Sequence, residues 1–100
     1  MESTFADINL SAVAGAIADP ARARMLCALL DGRARTATEL AALADIGAST
    51  ASSHFQRLRE QGLVEMAVQG KHRYFRLASG EVGHALEALL VVAGAERAPF

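Results

Sequence analysis

The segment from 47 to 63, GASTASSHFQRLREQGL, constrains the fold more than any other part of the chain. Ala51, Phe55 and Leu58 recur at intervals of four and three residues, which predicts one apolar face of a helix. Serine and threonine are mediocre helix formers, so their density here indicates a purpose other than helix stability. The rest of the helical surface carries hydrogen-bonding side chains, namely Ser49, Thr50, Ser52, Ser53, His54, Gln56 and Arg57.

Two interpretations of this polar surface remain open from the segment alone. Short donors and acceptors beside His and Arg suit base edges and phosphates in the major groove of DNA. Alternatively, Ser49 or Thr50 is an ordinary N-cap, and the residues after it form a solvated helix face. The neighbouring segments have to decide between the two.

Two helices are predicted at the start of the chain. The first ends before Asp19, and its apolar stripe is formed by Leu10, Val13, Ala14 and Ile17. Asp19 as N-cap and Pro20 as first helical residue begin the second helix, because the first turn leaves the N–H that proline lacks unpaired anyway. This second helix runs to about Leu30, and Arg22 and Arg24 are expected on its solvent side.

A short third helix precedes the polar segment. Thr36 and Glu39 have the spacing of a capping box, and Leu40 and Leu43 are expected to face inward. The turn after this helix contains Gly47, which we expect to take a positive φ. Two helices joined by a tight turn that contains glycine form a helix-turn-helix.

After residue 62 the hydrophobic period changes from that of a helix to that of a strand. Branched and aromatic residues at 63–68 and 74–77 flank Gln-Gly-Lys-His at 69–72, which predicts a β-hairpin. Its tip carries Lys71, His72 and Arg73, so the hairpin could be a wing that contacts phosphates or the adjacent minor groove. The alternative is that these charges only protect an edge strand from aggregation.

A last helix is predicted from about Ser79 to Ala93, and it is apolar on more than one face. A terminal helix of this kind in a small domain often packs against another subunit. We therefore predict a homodimer in which the first and last helices meet through Leu10, Val13, Ile17, Leu86, Leu89 and Leu90. The predicted fold is mainly α with a small β-hairpin, a winged helix-turn-helix domain at 1–94 with a tail at 95–100.

The charges are distributed unevenly along a chain whose formal net charge is -1. Residues 49–76 contain five Lys or Arg and two acidic residues, whereas the remainder contains five basic and nine acidic residues. A cationic segment on an acidic body indicates a local site for a polyanion. The chain shows neither a basic, apolar leader nor an apolar run of membrane-spanning length, so we expect a cytoplasmic protein without a membrane partner.

The order of these elements resembles the ArsR/SmtB family of winged-helix repressors. The resemblance is carried by DPARARMLCALL at 19–30, STASSHFQRLREQGLV at 49–64 and GKHRYFRL at 70–77. The recognition helix of that family typically reads S-x-x-S-x-H-L-x-x-L-x-x-x-G-L-V, and the second of these stretches stands in that register with Phe55 in place of the first leucine. The resemblance implies a homodimer that occupies operator sites on double-stranded DNA until an inducer changes its shape.

The chain departs from the metal-sensing members of the family. Those members carry a Cys-x-Cys pair after Glu-Leu in the third helix, where this chain has Ala-Ala-Leu at 41–43. Glu81, His84 and Glu87 could in principle hold a metal across a two-fold axis, but a solvated charge cluster is the simpler interpretation. We therefore predict no metal site and no cofactor.

Functions other than DNA binding have less support in the sequence. An enzyme is not expected, because no nucleophile, base and orienting acid occur together. A winged helix can also serve as a protein-interaction module without DNA binding, and this remains the alternative. Cys27, the one cysteine, is expected to be inert. The alternative is that its thiolate, near Arg24, responds to oxidation.

Overall fold

The computed structural model describes residues 3–94, with side chains from residue 6 onward, so the predicted tail at 95–100 lies outside the described residues. Within this part the fold is a winged helix-turn-helix with five helices and a small antiparallel sheet, as predicted. The elements are α1 (Ser3–Ile17), α2 (Pro20–Ala28), β1 (Arg35–Thr36), α3 (Ala37–Ala44), α4 (Ala48–Glu60), β2 (Val64–Gln69), β3 (His72–Leu77) and α5 (Gly80–Val92).

The predicted starts of α2 and α3 are confirmed. The carboxylate of Asp19 accepts the backbone N–H of Arg22 at 3.0 Å, and Pro20 is the first helical residue. At α3, the Thr36 hydroxyl accepts the N–H of Glu39 at 3.1 Å, and the Glu39 carboxylate accepts the N–H of Thr36 at 2.8 Å. These reciprocal bonds satisfy N–H groups that the first turn of a helix leaves without a partner.

The turn between α3 and α4 differs from the prediction. Gly47 has a φ of -75°, whereas Asp45 takes the left-handed conformation with a φ of 58°. The N–H of Ile46 donates to Ala41 and that of Asp45 to Ala42, so α3 ends in a Schellman motif. Gly47 is the N-cap of α4, so the interpretation of Ser49 or Thr50 as its N-cap is wrong.

The sheet has the order β1-β3-β2. β2 and β3 form the predicted hairpin, in which Val64 pairs with Leu77 and Gln69 with His72. β1 was not predicted, because two residues are too few to show a strand period; it pairs Arg35 with Phe75.

The core lies between the helices and the sheet. Its buried residues come from every helix and from the hairpin: Ala16, Met25, Leu26, Leu29, Leu40, Ala44, Ala51, Phe55, Leu58, Leu63, Val64, Phe75 and Leu86. The apolar face predicted for α4 is therefore confirmed. Leu43 is the exception on α3, since Leu40 and Ala44 form the inward stripe and Leu43 is 52% exposed. The prediction that Leu43 faces inward is wrong.

Candidate nucleic-acid interface

The outward face of α4 carries most of the polar residues predicted to contact DNA. Ala51, Phe55 and Leu58 are buried beneath it, so the orientation of this face is set by the core. The structure brings together on this exposed surface Ser49, Thr50, Ser52, Ser53, Gln56 and Arg57. A rigid helix with a buried back and a hydroxyl-rich front can present its side chains to a groove without first being ordered.

The two ends of α4 differ in charge. Its first turn contains no acidic residue and its N-cap, Gly47, makes no side-chain hydrogen bond to the helix, so backbone N–H groups there remain available to an anion. Its last turn carries Arg57 and Arg59. Gln56 donates from Nε2 to Oε2 of Glu60 at 3.2 Å, an exposed contact that DNA could replace.

The hairpin places Lys71, His72 and Arg73 at its tip, as predicted. Lys71, His72 and Arg73 are all exposed, and Gly70 takes a positive φ of 61° in the turn. The His72 ring lies edge-on to Tyr74, with ring centroids 6.3 Å apart. Arg73 also borders a recess lined by residues of α3 and α4, which puts its charge near the helix-turn-helix.

His54 is placed differently from the other polar residues of α4. Its side chain is 14% exposed, and its Nδ1 lies 2.9 Å from Nη1 of Arg22. Because a guanidinium only donates, Nδ1 of His54 must accept in this contact. His54 thus faces α2, and a contact between His54 and DNA stays a prediction with less surface available than at its neighbours.

Arg22 was expected on the solvent side of α2, and that prediction is wrong. Its side chain is half-buried, with Nε donating to the Ala16 carbonyl at 2.6 Å. Arg24 is exposed as expected and donates to the Ala44 carbonyl at 3.2 Å. The contact between Arg22 and His54 joins residues 32 positions apart, and no local pattern in the sequence could have indicated it.

Asp19 completes this group of side chains. Its Oδ2 lies 3.8 Å from Nε2 of His54 and also accepts the backbone N–H of Arg22. The hydrogen bond from that N–H lowers the pKa of Asp19 below its ordinary value of 3.8, although partial desolvation acts in the opposite direction.

The surface predicted for dimerisation is partly exposed and partly internal. Leu10 is 69% and Leu89 is 48% exposed, while Val13, Ile17 and Leu90 are half-buried. Further exposed apolar side chains on the same two helices are Ile8, Val91 and Val92. Leu86 differs, because at 5% exposure it packs in the core of the protomer and has little surface left for a partner.

Between residues 3 and 94, no group of three or more His, Cys, Asp or Glu side chains is arranged to hold a metal ion. Cys27 is exposed on α2. None of the described helices combines the length and apolar character that crossing a membrane requires.

Comparisons with known proteins agree with this geometry. Residues 17–67 match the helix-turn-helix domain family. The chain is 40% identical over 85 residues to the HTH-type transcriptional regulator YdfF of Bacillus subtilis, a match that covers 85% of this chain and 38% of YdfF. It is 37% identical over 83 residues to the HTH-type transcriptional regulator CmtR of Mycobacterium bovis, covering 83% of this chain and 70% of CmtR.

A solved structure extends the likeness to the whole fold. The homodimeric winged helix-turn-helix DNA-binding domain of Mb0332 from Mycobacterium bovis superposes with a TM-score of 0.84 at 27% identity. The superposition covers 96% of this chain and 89% of that domain. The similarity therefore includes the hairpin and both terminal helices as well as the helix-turn-helix.

Proposed function

The chain belongs to the helix-turn-helix domain family, among the DNA-binding transcriptional regulators of the ArsR/SmtB type, and we propose that it represses transcription as a homodimer on a palindromic operator. The observation that carries the proposal is the exposed, hydroxyl-rich face of α4 above a buried apolar one. The matched relatives and the fold are those of DNA-binding transcriptional regulators and not of enzymes. The protein-interaction module is not favoured, because the relatives are transcriptional regulators.

We assign sequence reading to the middle of the α4 surface. Ser52, Ser53 and Gln56 are exposed on one side of the helix and offer both donors and acceptors. The major groove presents a distinct donor and acceptor pattern for each base pair, and a glutamine amide matches adenine in two places. Ser49 and Thr50 lie at the N-terminus of α4, where no side chain caps the backbone N–H groups, and we expect them to bind a phosphate.

Anchoring is assigned to the Lys and Arg side chains of this surface and to His72. Arg57 lies at the far end of α4, and Lys71, His72 and Arg73 stand on the hairpin tip. Contacts of Lys and Arg with phosphates carry most of the non-specific affinity and make it sensitive to salt. Arg76, farther down the hairpin, already has an acidic partner within the protein, Glu65 at 3.2 Å.

The dimer is assigned to the exposed apolar surface of α1 and α5. Isolated apolar side chains are normal on a protein surface, but here they are concentrated on two helices of one small domain. A two-fold dimer would present two copies of α4 to major grooves about 34 Å apart, one turn of DNA. Bound across a promoter in the cytoplasm, such a dimer excludes the polymerase, and an inducer that shifts the two copies of α4 would release it.

The test is binding of the purified protein to a labelled duplex from its own promoter region, followed by fluorescence anisotropy. A scrambled duplex of equal length is the control, and both are titrated at two salt concentrations. We expect tighter binding to the promoter duplex and a steep fall of affinity with salt. Equal affinity for both duplexes would contradict an operator-binding role, and binding that is absent at low salt would favour the protein-interaction module.

A further inference from the structure

We propose that Arg22 is a positioning residue, which ties α4 to the C-terminal end of α1 through the unprotonated Nδ1 of His54. The DNA-binding consequence of this tie rests on the proposed function, but the tie itself can be tested without DNA. Its three members, Asp19, Arg22 and His54, are called the corner cluster below. They connect α1, α2 and α4 at one point of the fold.

The guanidinium of Arg22 reaches three acceptors. Nε donates to the Ala16 carbonyl at 2.6 Å, Nη2 to the Gly15 carbonyl at 3.4 Å, and Nη1 to Nδ1 of His54 at 2.9 Å. Gly15 and Ala16 belong to the last turn of α1, where carbonyls lack partners within the helix. A positive charge is favoured at the C-terminal end of the helix dipole. This interaction stabilises the position of Arg22 whether or not DNA is bound.

His54 lies between Arg22, with which it forms a hydrogen bond, and Asp19, which is beyond hydrogen-bond distance. Nδ1 accepts from Arg22, so a neutral ring must carry its proton on Nε2, and that nitrogen faces Oδ2 of Asp19 at 3.8 Å. Asp19 is itself fixed as the N-cap of α2. Ser53, which precedes His54, is exposed. The corner cluster therefore holds His54 inward on α4 while Ser53 faces outward.

The position of the corner cluster gives it a functional consequence. α1 carries Leu10 on the surface assigned to the dimer, and α4 carries the surface assigned to DNA. The rotation of α4 about its own axis decides which side chains enter the groove, and half-site spacing is set by the dimer. Arg22 therefore contributes to operator affinity by fixing α4 relative to α1, without touching DNA.

A double-mutant cycle on operator binding tests this assignment. Arg22→Met and His54→Leu each remove one side of the contact while keeping most of the bulk. We expect each to weaken operator binding by about tenfold, and the double variant to lose about tenfold as well, because each of the three variants breaks the same link between α1 and α4. His54→Asn keeps an acceptor near the position of Nδ1 and should restore most of the affinity lost in His54→Leu.

The salt dependence separates positioning from direct contact. If Arg22 acts through His54, the slope of log affinity against log salt stays at the wild-type value in Arg22→Met. A slope lower by about one would show that Arg22 meets a phosphate and would overturn the proposal. So would losses that multiply to about a hundredfold in the double variant. Arg24→Met is the matched control, since it removes the same charge from α2 but its hydrogen bond goes to Ala44 of α3, and we expect it to change affinity by less than about twofold.

A measurement on the wild-type protein does not depend on any variant folding. Long-range ¹H–¹⁵N correlation spectra at pH 8 should show His54 as the Nε2–H tautomer, with Nδ1 unprotonated. A ring protonated on Nδ1 would overturn the corner cluster, since Arg22 could not then donate to it. Wild-type protein that has this tautomer but does not bind its operator would instead contradict the proposed function alone.

Discussion

Phe55 of α4 stacks on Phe75 of β3, with ring centroids 4.2 Å apart and ring planes inclined by 17°. Both rings are buried in the core. Aromatic pairs in this arrangement contribute beyond the area that they bury. The contact joins the helix that we assign to base reading and the hairpin that we assign to anchoring, so the core fixes the two surfaces relative to each other.

The first prediction concerns this stacked pair. Phe55→Ala should lower the free energy of unfolding by about 3–5 kcal/mol, because it removes a buried ring and leaves a cavity. Phe55→Leu, which restores the leucine of the family pattern, should cost about 1.5 kcal/mol or less. Urea unfolding monitored by circular dichroism measures both. If both variants lowered the free energy of unfolding by the same amount, the loss would not come from the size of the cavity at this position.

The second prediction separates reading from anchoring. Ser53→Ala should weaken binding to the operator by about 1–3 kcal/mol and leave binding to a scrambled duplex nearly unchanged. Lys71→Ala should weaken both and reduce the salt slope by about one. Competition binding at two salt concentrations distinguishes them. If the loss in Ser53→Ala is the same on both duplexes, α4 does not read base edges through that residue.

The third prediction concerns the dimer. Leu89→Glu places a charge on the exposed apolar surface and should give a folded monomer with greatly weakened operator binding. Leu86→Glu should unfold the protomer instead, because Leu86 belongs to the core. Sedimentation velocity together with circular dichroism checks both. Glu87→Gln, an exposed change on the same helix, is the control and should leave the dimer intact.

The fourth prediction uses two glycines of different conformation. Gly47 has a negative φ, and a Cβ added there would meet no atom within 4 Å. Gly47→Ser should therefore raise the free energy of unfolding by about 0.3 kcal/mol, because the serine hydroxyl adds a side-chain cap to α4. Gly62 has a φ of 70°, so Gly62→Ser should lower it by about 1 kcal/mol. Thermal and urea unfolding would contradict the assignment if the two variants shifted stability in the same direction.

The fifth prediction follows from the capping box of α3. The backbone N–H of Thr36, donated to the carboxylate, lowers the pKa of Glu39 below its ordinary value of 4.5. Because the folded state favours the ionised form, this stability is present above pH 4.5 and is lost as the pH falls through the lowered pKa. Glu39→Gln keeps an acceptor but does not titrate there. The urea midpoint of this variant should thus fall less than that of the wild type between pH 6 and pH 3, a range of about 1.5 pH units on either side of the ordinary value. Midpoints that fall equally with pH in the two proteins would contradict the assignment.

Local patterns in the sequence were sufficient for much of this fold. Asp19 before Pro20, and Thr36 three residues before Glu39, indicate helix starts because capping bonds join residues close in sequence. The apolar residues around Phe55, spaced by four and three positions, indicate a half-buried helix for the same reason, since the helical period is a property of the backbone. The order of helices and the basic hairpin tip likewise follow from short-range signals.

Only the tertiary structure decided which residues of these elements face the core, the corner cluster or solvent. Leu43 and Leu86 have similar local surroundings in sequence, yet the first is exposed and the second buried, because burial depends on which elements pack against each helix. His54 faces Arg22 because folding brings α2 and α4 together. A half-buried guanidinium needs hydrogen-bond acceptors, and Nδ1 of His54 is one of them. Sequence determined the elements and their polar faces through contacts a few residues apart, while packing between distant elements determined which polar side chains remained exposed.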